Sequence, residues 1–449
     1  MKKITTFENK KVLVLGLAKS GMAAARLLFK LGALVTVNDF KAFDENPEAQ
    51  ELLEEGIKVV TGGHPVELLD EDFELMVKNP GIRYDNPMVV RAQELGLSVL
   101  TEIELAYLVS EAPIIGITGT NGKTTTTTLI GALLKAGGQS PQLAGNIGFP
   151  ASTVATTAHR TDTIVMETSS FQLMGIDQFH PKIAVITNIY STHLDYHGTQ
   201  ANYEAAKWNL QKNMTSDDVL ILNFNQDKMK DYAKKTNASV LAFSTREVTD
   251  GAYVLDGEIY FKNQHLMATK ALSLPGEHNI ENALAAICVA KRCGVSNDKI
   301  ISVLTTFEGV RHRLQYLGLA KGRRAYNDTE ATNIEATKKA LTGFDHQKLW
   351  LFIGGLDRGN GFEALEASIK DVKGLVISGE TTPKLVAIAK KYDIPYLVSD
   401  YVEDGMEKVF PLTKEGDTLL LSPACASWGQ YTRAEERGDR FIAAFEKMK

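Results

Sequence analysis

The sequence predicts an α/β protein built as three sheet domains in series. Three observations predict it. Short apolar, β-branched runs alternate with helix-compatible segments along all 449 residues, the order that parallel sheets impose. The runs end in small or polar residues, at the edge where open parallel sheets hold ligands. The chain is also too long for one ordinary core, yet only one stretch carries a phosphate-binding loop.

Residues 1–101 form the first unit. The run Val12-Leu13-Val14-Leu15 leads into Gly16-Leu17-Ala18-Lys19-Ser20-Gly21 and an alanine-rich helix, and the run 34–39 ends in Asp39. This is close to the dinucleotide fingerprint of glycine turn, helix and acid. Ala18, however, stands where a second glycine would let backbone approach a pyrophosphate. The pattern therefore favours some other diphosphate or nucleotide over a nicotinamide cofactor. Residues 75–78 read as a further strand, with Asn79-Pro80-Gly81 turning at its carboxyl end.

The pattern resets near Thr101, and residues 102–309 form the second unit. Ile114-Ile115-Gly116-Ile117-Thr118 feeds Gly119-Thr120-Asn121-Gly122-Lys123-Thr124 and then a helix. The glycines let N–H groups turn inward around phosphate oxygens, and the helix start adds its positive end. Lys123 supplies a point charge for the outer phosphates, and the Thr124 hydroxyl suits magnesium. Ile117 replaces the glycine usual five residues before Gly122, so the loop is a tighter variant. The bland alternative is an ordinary strand, turn and helix.

Further along, 163–166 runs into Glu167-Thr168-Ser169-Ser170, and 183–188 leads towards His193. Parallel alignment with the loop strand would bring Glu167 and His193 to the edge that carries Lys123, where they could attend magnesium. As readily, Glu167 caps a helix and His193 sits in a loop. Asn146 lies in a turn, Gly145-Asn146-Ile147-Gly148, and Lys207 reads only as a solvated helix lysine. Asn279 and Asn282 share one helix face, fit for a base edge or for capping.

Residues 310–449 form the third unit, again α/β, opened by the basic cluster Val310-Arg311-His312-Arg313. One loop among three α/β units suggests one nucleotide driving chemistry assembled between domains. The formal charge of −6 gives no reason to expect a nucleic-acid partner. No apolar run is long enough for a membrane span, and the N-terminus turns polar too soon for a signal peptide. Three cysteines cannot make a disulfide framework, and Cys288 and Cys293 read as one buried helix. A cytoplasmic, reduced protein is expected, without a membrane partner.

Taken together, Gly119–Thr124, Glu167-Thr168-Ser169-Ser170, Gly276-Glu277-His278-Asn279, His312-Arg313, Asn327-Asp328 with Ala331-Thr332-Asn333, and Ser422-Pro423-Ala424-Cys425-Ala426-Ser427 resemble the Mur ligase family. The likeness runs the length of the chain, in the family's order. It implies an N-terminal Rossmann-like sheet, a central P-loop ATPase-type sheet and a C-terminal Rossmann-like sheet. It also implies an ATP-dependent amide ligase working through an acyl phosphate, with UDP-N-acetylmuramoyl-L-alanine, D-glutamate and ATP as partners, acting as a monomer.

By the same resemblance, Gly119, Thr120, Asn121, Gly122, Lys123, Thr124 and Thr125 hold the ATP phosphates. Asn279 and Asn282 face adenine, Arg313 a phosphate and Asp328 the ribose. Lys19, Ser20, Asn79, Gly81, Asn146 and His193 take the UDP substrate. Thr332, Arg358 and Ser427 contact the amino acid, with Tyr431 covering part of that pocket. Two magnesium ions are implied, attended by Thr124, Glu167, His193 and Lys207, the last as a carbamylated lysine; Lys123, Glu167, His193 and Lys207 are the expected catalytic set. The match loosens at Arg358, where some relatives have lysine, and at Ala434, where some have an aromatic residue. Rival readings are a ligase for a diamino acid, a folate polyglutamylating enzyme, a nucleotide-operated switch, and a nicotinamide dehydrogenase.

Overall fold

A computed structural model describes residues 1–359 and 361–449. Among these residues the backbone forms three sheets. The first is parallel throughout, ordered Lys58–Thr61, Leu34–Asp39, Lys11–Leu15, Leu75–Lys78, Ser98–Leu100. Its central strand is apolar without alternation because both faces are covered: Val12 and Val14 pack with Leu27, Leu28 and Val37, while Leu13 and Leu15 pack with Met76, Met88 and Val89.

In the second sheet the strand Ile114–Thr118 is buried along its whole length, between Asp162–Glu167 and Ile183–Ile186 and parallel to both. Ser140–Gly145 closes one side of this sheet. Val219–Asn223, Ser239–Ser244 and Ala252–Leu255 continue the other side in parallel, and Glu258–Phe261 then pairs antiparallel. The third sheet runs Gln315–Ala320, Arg323–Asn327, Thr418–Leu421, Leu349–Gly354, Gly374–Ser378, Tyr396–Val398, with only the first pair antiparallel.

The chain divides into two compact units, residues 1–267 with 281–301, and residues 268–280 with 302–449. The first two sheets share one unit. The 101/102 and 309/310 boundaries proposed from sequence fall between sheets, but the second unit also takes in the segments 268–280 and 302–309. Cys288 lies in helix Glu277–Arg292, whereas Cys293 falls just past its end, half-buried; the cysteines are free thiols. Among the described residues no helix is long and apolar enough to cross a membrane.

Candidate active site

The glycine loop leaves the carboxyl end of Ile114–Thr118 and opens helix Lys123–Ala136. Gly122 caps that helix with φ +79°, a left-handed conformation that glycine adopts without strain, and a Cβ there would collide with the Asn282 amide. At Gly119, with φ +152°, a Cβ would overlap the Thr187 hydroxyl and lie 3.2 Å from the Asn188 carbonyl.

The neighbouring strand end explains this crowding. Thr120 N–H donates to the Asn188 carbonyl (2.8 Å), Asn121 N–H to Asn188 Oδ1 (2.9 Å), and the Thr187 hydroxyl to the Asn121 carbonyl (2.7 Å). Thr120 Oγ1 also pairs with the Tyr203 hydroxyl at 2.9 Å, and Lys123 Nζ reaches the Thr120 carbonyl at 3.0 Å. Thr124 and Thr125 sit half-buried in the first turn of the helix. Thr187, Asn188 and Tyr203 were not singled out from sequence. For the first two the signal was there: polar residues directly after an apolar run, on a strand beside the loop.

Register places Glu167 beside Ile117, so its carboxylate emerges at the loop edge. It is 1% exposed; Oε1 accepts from Asn146 Nδ2 (2.8 Å), while Oε2 is buried with no hydrogen-bond partner among the described residues. Such an oxygen is costly unless a cation or ligand completes it. Among the described residues no three His, Cys, Asp or Glu side chains gather into a metal cage. One carboxylate with a helix-start hydroxyl nevertheless fits magnesium, which is ordinarily bound through one or two protein ligands and substrate phosphates.

Lys207 is no solvated lysine. It lies in helix Gln200–Trp208, 2% exposed, with Nζ donating to the Gly119 carbonyl at 2.7 Å and lying 4.9 Å from the Tyr203 ring centroid. Burial, reinforced by the charge on Lys123 and opposed by Glu167, pulls its pKa down to about 6. The amine is therefore neutral near pH 7. His193 starts the short helix Leu194–His197 at φ +55°, its ring edge-on to Phe171 at 5.2 Å. Burial and then Lys207 hold its pKa below the ordinary histidine value.

At the first sheet, Lys19 and Ser20 begin helix Lys19–Lys30 with Ala18 as its cap. Asn79 Nδ2 donates to Ser20 Oγ (3.2 Å), and Gly81 N–H donates to Asn79 Oδ1 (3.1 Å). Lys19 and Ser20, in the first turn of that helix, thus adjoin the turn that carries Asn79 and Gly81. Asp39, the acid of the imperfect dinucleotide pattern, is occupied structurally: its carboxylate accepts from Leu17 N–H (2.8 Å), Lys41 N–H and Asn46 Nδ2.

Asn279 and Asn282 both lie on helix Glu277–Arg292; Asn279 Nδ2 donates to the Pro275 carbonyl at 2.8 Å, and Asn282 Oδ1 accepts from Thr126 Oγ1 at 3.3 Å. In the third sheet, Asp328 follows strand Arg323–Asn327. Its oxygens accept from Leu314 N–H (3.1 Å) and Ser422 Oγ (2.9 Å), and burial lifts its pKa to about 7. Arg313 is exposed, 4.0 Å from Glu330.

A cavity of about 280 Å³ in the same unit is lined by Thr332, Arg358, Phe362, Thr381 and Ala424-Cys425-Ala426, next to buried Ser427. The Arg358 guanidinium lies 5.4 Å from the Trp428 ring centroid. Tyr431 departs from the expected placement. It is 7% exposed in the apolar cluster with Trp350, Phe352 and Phe441, its hydroxyl accepts from Val402 N–H and donates to Glu403, and it does not line this cavity. Arg437, also unforeseen, is 1% exposed and donates to the carbonyls of Thr329 (3.0 Å), Cys425 (3.1 Å) and Gly354 (3.5 Å), fixing three loops at this edge.

The chain as a whole is similar to known proteins. Residues 10–101 match the model for the Mur ligase MurD-like N-terminal domain, and residues 117–290 the model for the Mur ligase middle domain. The chain is 66% identical over 449 residues, 100% of both chains, to the UDP-N-acetylmuramoylalanine–D-glutamate ligase of Lactococcus lactis subsp. lactis (strain IL1403). It is 60% identical, again over 100% of both, to the ligase of the same name from Streptococcus sanguinis (strain SK36). Among solved structures, the UDP-N-acetylmuramate-alanine ligase MurC of Thermotoga maritima shares the fold at TM-score 0.58 and 20% identity, over 98% of this chain and 100% of that one. The MurF ligase of Thermotoga maritima, solved with ADP, does so at 0.55 and 17%, over 99% and 97%.

Proposed function

This chain belongs to the Mur ligase family, and from that membership and the chemistry of its central site we infer that it joins D-glutamate to UDP-N-acetylmuramoyl-L-alanine, using ATP, in peptidoglycan precursor synthesis. The observation that carries the reading is a phosphate loop flanked, on adjoining strand ends, by a buried carboxylate with one unpartnered oxygen.

A carboxylate resists an amine because its leaving group would be oxide. In the first step a substrate carboxylate oxygen bonds to the γ-phosphorus, and the bond from that phosphorus to the β-phosphate oxygen breaks, giving an acyl phosphate and ADP. In the second, the glutamate nitrogen bonds to the acyl carbon as its bond to the phosphate oxygen breaks, releasing phosphate and a proton. The loop N–H groups that Asn188 does not engage, Lys123 and the positive end of helix Lys123–Ala136 stabilise charge on the transferring group.

Thr124 and Glu167 would hold the first magnesium, and His193 with Lys207, once carbamylated, would hold the second. A divalent cation held there would supply positive charge against the phosphates of ATP. A neutral, buried amine is what carbon dioxide needs to form a carbamate, so the depressed pKa of Lys207 supports that modification. Asn279, Asn282, Arg313 and Asp328 serve the nucleoside and phosphates of ATP. Lys19, Ser20, Asn79 and Gly81 grip the UDP moiety, and Asn146 and His193 attend the muramoyl-alanine end. The cavity at Thr332, Arg358 and Ser427 takes D-glutamate, where a forked guanidinium grips a carboxylate with two bonds. The three sheets are read as three domains, 1–101, 102–309 and 310–449, of a cytoplasmic monomer.

The test is ADP release with magnesium, ATP and UDP-N-acetylmuramoyl-L-alanine, across a panel of amino acids. Only D-glutamate should stimulate it. Release independent of any amino acid would favour a nucleotide-operated switch, and stimulation by a diamino acid would redirect the specificity.

A further inference from the structure

Lys78 is the last residue of strand Leu75–Lys78, 1% exposed, and no carboxylate pairs with it among the described residues. Its ammonium group instead faces backbone. Nζ donates to the Ile82 carbonyl at 2.8 Å and lies 3.4 Å and 3.5 Å from the carbonyls of Pro80 and Asn79. It also donates to the Tyr196 hydroxyl (3.3 Å) and sits 4.5 Å from the Tyr84 ring centroid. Tyr196 in turn donates towards the carbonyls of Ile82 (2.9 Å) and Pro80 (3.1 Å). A buried cation unpaired by an acid is costly, and this one meets carbonyls, a hydroxyl and an aromatic face instead.

The turn it gathers is the one carrying Asn79 and Gly81. That turn packs on the first glycine turn so closely that a Cβ on Gly16 would lie 2.8 Å from Ile82 and 3.0 Å from Asn79. Tyr196 belongs to the helix that His193 opens, and its ring meets Phe171 at a tilt, 4.4 Å between centroids, while the His193 ring meets Phe171 edge-on at 5.2 Å. A second strap runs parallel, Arg83 donating to the Asp195 carbonyl. The 79–82 turn and the 193–197 segment are therefore wired together through Lys78 and Tyr196.

We propose that Lys78 is a positioning residue for the UDP-linked substrate, a buried cation that holds the 79–82 turn in its binding shape and in register with His193. It rests on the reading that this edge takes the UDP moiety. By drawing carbonyl oxygens inward, the ammonium group keeps their negative ends away from the surface that meets a diphosphate. It also adds a fixed positive charge behind that surface, little screened because it is buried.

The experiment measures KM for each substrate and kcat in Lys78→Met, Tyr196→Phe, Asn79→Ala and the unaltered chain, with circular dichroism as the check on folding. For Lys78→Met, KM for UDP-N-acetylmuramoyl-L-alanine should rise about 10-fold, while KM for ATP and D-glutamate stays within about two-fold. Tyr196→Phe, which removes one oxygen, should raise the same KM about 3-fold and serves if Lys78→Met does not fold. Equal loss across all three substrates, or an unchanged KM for the UDP substrate in the variant that folds, overturns the proposal. If Asn79→Ala raises that KM while the Lys78 and Tyr196 variants are silent, the UDP edge stands and the positioning role falls. If all are silent, the UDP edge itself is misplaced and the proposal falls with it.

Discussion

Lys207 gives the most demanding test of the site, because its predicted behaviour follows from one displaced equilibrium. Only a neutral amine adds carbon dioxide. With a pKa drawn down to about 6 by burial and by Lys123, the amine is ~97% neutral at pH 7.5, whereas an ordinary lysine at 10.5 is ~0.1% neutral. The advantage in reactive form is therefore about 1000-fold. The sign is set by the direction of that shift: the reactive form persists above pH 6 and is lost as pH falls through it. In buffer containing 13C-bicarbonate, carbon NMR of the whole protein should show one carbamate signal at pH 7.5 that fades below pH 6 and is missing from Lys207→Met. Activity should follow the same limb. In Lys207→Ala, short carboxylates such as formate should restore part of the turnover by occupying the vacated anion site. A carbamate signal that survives in Lys207→Met, or none at pH 7.5 in the unaltered protein, would refute the reasoning, as would indifference of the alanine variant to carboxylates.

Two further outcomes follow from the loop. Lys123→Ala should lower kcat by at least about 1000-fold, with a thermal midpoint near that of the parent, since a half-buried lysine at a helix start adds little to a core; a near-normal rate removes Lys123 from the chemistry. Gly119→Ala places a methyl group on the Thr187 hydroxyl at a positive φ, so it should destabilise the protein by about 2–4 kcal/mol and weaken nucleotide binding. An unshifted denaturation midpoint would mean the loop relaxes freely around the methyl.

Much of the architecture was legible because it is written in local period. Apolar runs such as Ile114–Thr118 and Ile183–Ile186, each followed by polar residues, mark buried parallel strands and their ligand edges without reference to anything distant. The glycine loop needs only its own residues to be recognised. Asp39 shows where local pattern misleads: an acid at a strand end fits a ribose, but here it locks the first turn through Leu17 N–H and Asn46. Tyr431 shows the same for a residue near a motif, since the apolar cluster around Phe352 and Phe441 claimed its ring.

By itself, then, the sequence determined the order of strands and helices, the one phosphate loop and the family likeness carried by motifs spread along the chain. Tertiary structure alone decided what Lys78, Lys207 and Arg437 are. In sequence they are three ordinary cations. Folding leaves them at 1%, 2% and 1% exposure, Lys207 and Arg437 against carbonyls from distant loops and Lys78 against its own following turn and the distant Tyr196 hydroxyl. A lysine's charge, basicity and partners are set by the water and dipoles around it, and those come from packing between segments that no local pattern encodes.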